Sequence, residues 1–369
     1  MKRFIFSAIA LIVAATSCTE SGLIDSPELY GSQIVFGTYI GKAPVTKAED
    51  ITLNYLETNA NGGAQVYSFM TEKGNRNPDV VDFSTSYMDG KITNVTPTTY
   101  KQDGTINTNG EWQYEVYNGT KWTVEEVYWP GDVDLAFAAY NLKANNCISN
   151  PVATKSDFSF DFEVKSTISE QVDLLVAPLT FVSEAPNDDT NVNLHFRHLL
   201  SRVGFSVIAT SPNDNVDITI SSLRLCGMFP QKGKVSLKST SAAIQAYEEN
   251  YATYYDFFQS GQSFTVKSSV CGSTVSDNSR IHAGNVNDRF MMLMPGQLDG
   301  AYIEVEYQLT GAEKRFAKVE LGSMPLKAGF AYEFVLRVAT ASIEFSGVVE
   351  GDWGSTGTNG NTNIPQGNQ

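Results

Sequence analysis

Apolar and polar residues alternate with a period of two along most of this chain. Phe158, Phe160, Phe162 and Val164 are separated by Ser159, Asp161 and Glu163, and Ile303, Val305, Tyr307 and Leu309 by Glu304, Glu306 and Gln308. Successive side chains of a strand point to opposite faces, so each run sets its large side chains on one buried face, whereas a helix would scatter them. Further strands are predicted at 65–70, 112–117, 122–129, 133–140 and 173–177, then at 192–198, 203–209, 216–225, 290–294, 316–321, 332–338 and 343–349. Asn61-Gly62, Asp89-Gly90, Asp103-Gly104, Asn109-Gly110 and Asn118-Gly119 fall between them, and such pairs flanked by apolar alternation mark hairpins. One segment breaks the pattern: Tyr247, Tyr251, Tyr254, Tyr255 and Phe258 recur every three or four residues, which predicts a single amphipathic helix within 241–258. Evenly spaced short strands with turn signals predict an all-β chain of two antiparallel β-sandwich domains in tandem.

The ends of the chain read differently. Met1-Lys2-Arg3 followed by twelve almost wholly apolar residues, Phe4 to Ala15, is too short to span a bilayer and reads as an export signal. Small residues then lead into Cys18 through Ala15-Thr16-Ser17, which resembles the lipobox of bacterial lipoproteins and would make Cys18 the acylated residue, held to a membrane by several chains. The expected division is 1–17 signal peptide, 18–47 leader with one strand (Gln33 to Ile40), 48–189 and 190–353 sandwiches, and 354–369 a Gly-, Asn- and Thr-rich tail. Ser183 to Asn191 is the expected linker.

Charge and composition narrow the function. Twenty-six Lys and Arg against 41 Asp and Glu give a net charge of -15, which repels polyanions and argues against nucleic acid as a partner. Tyr (17) and Phe (21) are plentiful, which favours strands, because aromatic and branched side chains suit a pleated, half-buried surface. Past Cys18 only Cys147, Cys226 and Cys271 remain, an odd number without CxxC spacing, read as small buried residues, with one disulfide left open.

The residues propose no reaction. His195 and His198 lie three apart on a predicted strand and so face opposite ways, which rules out a shared metal ion; the third histidine, His282, stands near no nucleophile motif. The pairs Asp132 with Asp134 and Asp188 with Asp189 sit in turn-like segments and read as turn caps. No HExxH, GxSxG, phosphate loop or calcium loop occurs, so the expectation is no enzyme, no cofactor and no metal. The aromatics of 247–258 read first as packing and second as a platform for sugar rings.

Several segments taken together resemble the fimbrillin family, the subunits of Bacteroidales lipoprotein-derived pili. They are the lipobox at Cys18, Val45-Thr46-Lys47-Ala48 after a leader strand, Tyr128-Trp129-Pro130 before Val133-Asp134-Leu135-Ala136-Phe137, and Val172 to Ala177. Leu194 to Val203, Met292-Leu293-Met294-Pro295-Gly296 and the close from Phe330 to Trp353 complete the order. The resemblance implies two transthyretin-like sandwiches, transport to the outer membrane on a lipid anchor, and a protease that removes the leader. It places the cut between Lys47 and Ala48, with lysine where the family often has arginine and Lys42 as the second choice. Ile34, Phe36 and Ile40 are the leader side chains expected in the core, and their removal would open a groove for a strand from another fimbrial subunit. The expected role is thus a subunit of a type V-like fimbria polymerised by donor-strand exchange and contributing to adhesion to a host or bacterial surface ligand. Whether Ile343, Phe345 and Val349 form a donor strand decides between shaft and tip or anchor. The rival reading is a surface glycan-binding lipoprotein of a polysaccharide-uptake system.

Overall fold

The structure, a computed structural model, describes residues 32–40 and 62–352, apart from 97–98, 101–105, 109–110, 185–190, 210–216, 259, 268–274, 276–278, 283–289 and 339–341. Among the described residues there are 23 strands and short 3-10 turns. In chain order the first twelve strands are β1 Val35–Ile40, β2 Ala64–Glu72, β3 Met88–Thr96, β4 Thr99–Tyr100, β5 Ile106–Thr108, β6 Glu111–Tyr117, β7 Trp122–Val124, β8 Val133–Asn141, β9 Ile148–Ala153, β10 Phe158–Glu163, β11 Leu175–Val182 and β12 Asn191–His198. The rest are β13 Ser201–Ala209, β14 Ile218–Pro230, β15 Lys232–Ser236, β16 Ile244–Ala246, β17 Tyr251–Asp256, β18 Phe264–Val266, β19 Phe290–Leu293, β20 Gly296–Leu309, β21 Lys314–Leu326, β22 Phe330–Val338 and β23 Ile343–Asp352. The all-β class is as the alternation predicts.

An eight-stranded sheet runs in the order β1-β12-β11-β8-β2-β3-β6-β7. It curls, because residues 125–129, leaving β7, bond to both of its ends: Glu125 N–H donates to the Tyr114 carbonyl on β6, and the Val127 carbonyl accepts from Ile34 at 2.7 Å. Inside the curl lies one apolar core that includes Val66, Ile92, Trp129, Phe137 and Phe196. The other face of β8 turns Ala136, Ala138 and Tyr140 toward Phe158, Phe160 and Phe162 of a second sheet, ordered β16-β15-β10-β9. Since β8 is buried on both faces, small alanines there let the two layers approach.

The later strands form the sheets β19-β13-β22-β23 and β17-β14-β20-β21, with β18 also on β14. They face each other across a core that includes Phe205, Ile220, Tyr255, Ile303 and Phe334. The sheets divide the chain differently from the expected boundary at residues 189 and 190. Strand β12 lies in the first sheet, and β15 and β16 return to pair with β10, so the earlier layers take residues from both sides of that boundary. Gln231 is the crossing point, its carbonyl accepting from Val164 and its N–H donating to Asn250. Two pairings are parallel, β1 with β12 and β13 with β22, where antiparallel strands alone were expected.

The expected helix within 241–258 is replaced by two strands. β17 pairs antiparallel with β14, which buries Tyr255 and leaves Tyr254 outward beneath Arg224, 4.3 Å from its ring centroid. The backbone bonds offered by β14 outweigh a helical aromatic spacing, and tyrosine itself favours strands.

On the outer face of β3, β6 and β7 an ion pair joins Lys91 to Glu115 at 3.0 Å, with Thr93 and Gln113 also donating to Glu115. Burial pushes the Glu115 carboxyl upward, but the hydrogen bonds from Thr93, Lys91 and Gln113 outweigh it and hold the group below its ordinary value. Its stabilising contribution is therefore present above the ordinary carboxylate range and is lost as pH falls through the depressed folded value. Melting temperatures of the native chain and of Glu115→Gln, followed from pH 7 to pH 3, are expected to differ at neutral pH and converge in acid.

Candidate functional site

The leader segment, residues 32–34 and then β1, is held by two partners in succession. On one side it runs parallel to β12 in continuous register from Val35 opposite Asn191 to Ile40 opposite Phe196. On the other, Ile34 N–H donates to the Val127 carbonyl, Trp129 N–H donates to the Ser32 carbonyl at 3.0 Å, and Gln33 bridges Tyr128. Tyr87 steadies this second wall by donating its hydroxyl to the Tyr128 carbonyl. The leader segment thus bridges the two ends of the curl, first along 127–129 and then along β12, so the site is a channel whose present occupant is residues 32–40.

The side chains follow the period of two. Ile34 and Phe36 are 5% and 3% exposed, and Val35 between them is 43% exposed. The Phe36 ring stacks on Tyr114, centroids 6.4 Å apart, and meets Phe137 edge-on at 6.0 Å. At about 1.5–3 kcal/mol for each large apolar side chain, these two supply about 3–6 kcal/mol of hydrophobic stabilisation. Ile40 ends β1 opposite Phe196, and its side chain lies outside the described residues, as do Cys18, Lys47 and Ala48.

The β12 wall is weakly held apart from β1. In the ladder with β11 only Leu175 with His198 and Val176 with Arg197 are in register. A buried polar cluster reinforces that end: Asp173 Oδ2 lies 2.6 Å from His198 Nδ1, Asn141 Nδ2 donates to the Asp173 carbonyl, and Leu175 N–H donates to Asn141 Oδ1. His198 is thus turned inward while His195 is exposed, on the opposite face as the strand period requires. At the mouth of the channel, just past β11, Glu184 Oε1 accepts from Ser32 N–H at 2.7 Å and from Ser32 Oγ at 3.2 Å. The sequence marks 122–129 as a strand and Tyr128-Trp129-Pro130 as family-like, but neither these residues nor Glu184 carries a local signature that pairs them with the leader.

The other candidates are dispersed. Asp134 Oδ2 accepts from Gly74 N–H at 2.9 Å and so holds a turn, while Asp188 and Asp189 lie outside the described residues. Cys147 and Cys226 are buried and unpaired, and Cys271 lies outside the described residues. Among the described residues no group of three or more His, Cys, Asp or Glu could hold a metal ion, and no helix is long and apolar enough to cross a membrane. Of the aromatics at 247–258, Tyr255, Phe257 and Phe258 are core and Tyr247 donates its hydroxyl to Asp161, so they form no common platform.

The family model for fimbrillin-like proteins matches residues 60–353, most of the chain and all of its later sheets. The chain belongs to the fimbrillin-like family. Among solved structures this fimbrillin-like chain is similar to a fimbrial protein from Bacteroides vulgatus, at 15% identity and a TM-score of 0.55, over 87% of this chain and 100% of that one. It is also similar to a candidate cell adhesion protein from Bacteroides uniformis, at 12% identity and a TM-score of 0.49, over 87% and 98% of the two chains. At such identities the first likeness is one of fold. No curated protein matches the sequence.

Proposed function

We propose that this fimbrillin-like chain is a structural subunit of a surface fimbria, exported as a lipoprotein acylated at Cys18 and joined to its neighbours by strand exchange in the β1 channel. The observation that carries this reading is the position of residues 32–40, bonded first to 127–129 and then through β1 to β12, and anchored by Ile34 and Phe36 in a core otherwise built by residues 64–196. Cleavage between Lys47 and Ala48 would free the leader, and its departure would unpair β12 along most of its length and open the core. Such a surface is stable only when another extended segment fills it. The fimbrial family favours a second subunit as the source, and a cell-surface, adhesive fibre as the product.

Strand β23 repeats the leader's spacing, Ile343-Glu344-Phe345 against Ile34-Val35-Phe36, and pairs with β22 in its own chain from Ile343 to Asp352. A shaft subunit must release β23 or donate from beyond it; one that keeps β23 accepts a strand and gives none, which suits a tip or anchor.

Limited trypsin digestion of protein lacking residues 1–18, followed by intact mass and native size, tests the reading. Cleavage confined to Lys42 or Lys47 and then growth of oligomers is expected. A leader that resists cutting, or clipped protein that stays monomeric with its partner subunits present, would overturn it.

A further inference from the structure

The β1 channel has apolar seats for Ile34 and Phe36, and a slip of two residues would put Thr38 or Ser32 into one of them and a side chain in place of Gly37, where a Cβ would lie 2.5 Å from Asn193 Oδ1. A polar contact outside the core adds to that preference. The ladder bonds to β12 are made by backbone alone and repeat along the strand, so by themselves they set direction without setting position. The Glu184 carboxylate is different. It is a single charged acceptor at the channel mouth, it takes both the N–H and the hydroxyl of Ser32, and it sits two residues before the first buried side chain. A slip of two residues would carry Ser32 out of its reach by about 6.6 Å, two strand rises.

Resting on the exchange reading above, we infer that Glu184 is the polar register stop of the channel and thereby contributes to selecting its partner. The segment that fits is an extended peptide with a residue bearing a free backbone N–H, best a serine or threonine, two positions before the first of two alternating large apolar side chains. Proline at that position is excluded, because it removes the donor and leaves a carboxylate facing an apolar ring. Glu184 acts on the strand's position; it belongs to neither apolar seat.

Two measurements separate the parts of this inference. In the uncut mature chain, amide exchange at Gln33 and Ile34 is expected to quicken on the order of 10-fold in Glu184→Ala, the scale of one lost hydrogen bond to a charged group. Unchanged exchange would overturn the role of Glu184. In trypsin-nicked protein, labelled synthetic peptides with the sequence of residues 32–42 compete for the channel. The native peptide is expected to be retained longest, Ser32→Ala less, and Ser32→Pro on the order of 10-fold less, with the three converging on the Glu184→Ala protein. Equal retention of native and proline peptides on the native protein would sink the selection rule. Faster exchange in the uncut chain with no uptake of any peptide would leave Glu184 as an anchor of the leader alone and would overturn the exchange reading itself.

Discussion

Replacing Phe36 by alanine is expected to cost the uncut chain about 3–5 kcal/mol, the range for removing a fully buried phenylalanine ring. Phe36 is 3% exposed and lies between Tyr114 and Phe137, side chains carried by strands on opposite parts of the curled sheet. Its loss leaves a cavity where the sheet closes on itself, and neither β6 nor β8 can collapse into it while both stay in their ladders. The urea midpoint should fall with little change of slope, since the surface exposed on unfolding is nearly the same. Val35→Ala, altering a side chain that is 43% exposed on the same strand, should stay within about 0.5 kcal/mol of the native chain. A Phe36→Ala loss below about 1 kcal/mol would mean that β1 is not seated in solution, and the channel would cease to be the functional site.

The second large effect is expected at Asp173, far from the leader in sequence. Asp173→Ala should cost about 1–3 kcal/mol, the scale for leaving buried hydrogen-bonding groups without their partner. The carboxylate is fully buried and holds His198, the last residue of β12, where that strand meets β11. Because β12 is otherwise joined to β11 by only one further registered pair, the loss should be felt along β12 and in the β1 that leans on it. Amide exchange should therefore quicken at Val192, Leu194 and Ile34 more than at Phe205 or Ile220 of the later sheets. Uniform quickening throughout the chain would show a general loss of stability, and the clamp would have no special claim on the channel.

These two sites differ in how far they can be read from the chain alone. Ile34 and Phe36 alternate with Gln33 and Val35 near Gly37, and a strand with one apolar face needs a core, so their burial is predictable wherever the strand docks. Asp173 stands at the edge of an apolar run and His198 at the end of one, twenty-five residues apart, and nothing local pairs them. The helix expected over 241–258 failed for a related reason: aromatic spacing of three and four satisfies a helical face equally well, and the open edge of β14 made the choice.

What the amino-acid order determined by itself is therefore the local part: strands, their inward faces, the turns between them, the small alanines of β8 and the two apolar anchors of β1. These depend on side-chain period and backbone preference, which act over a few residues. Tertiary structure decided the rest. It chose the parallel partner of β1, folded residues 125–129 back to close the curl, returned β15 and β16 to the earlier layers, and brought Glu184 to Ser32 across 152 residues. Each of these is a pairing between backbone groups or single polar atoms that are chemically alike all along the chain, so only the packing of the whole core can say which two meet.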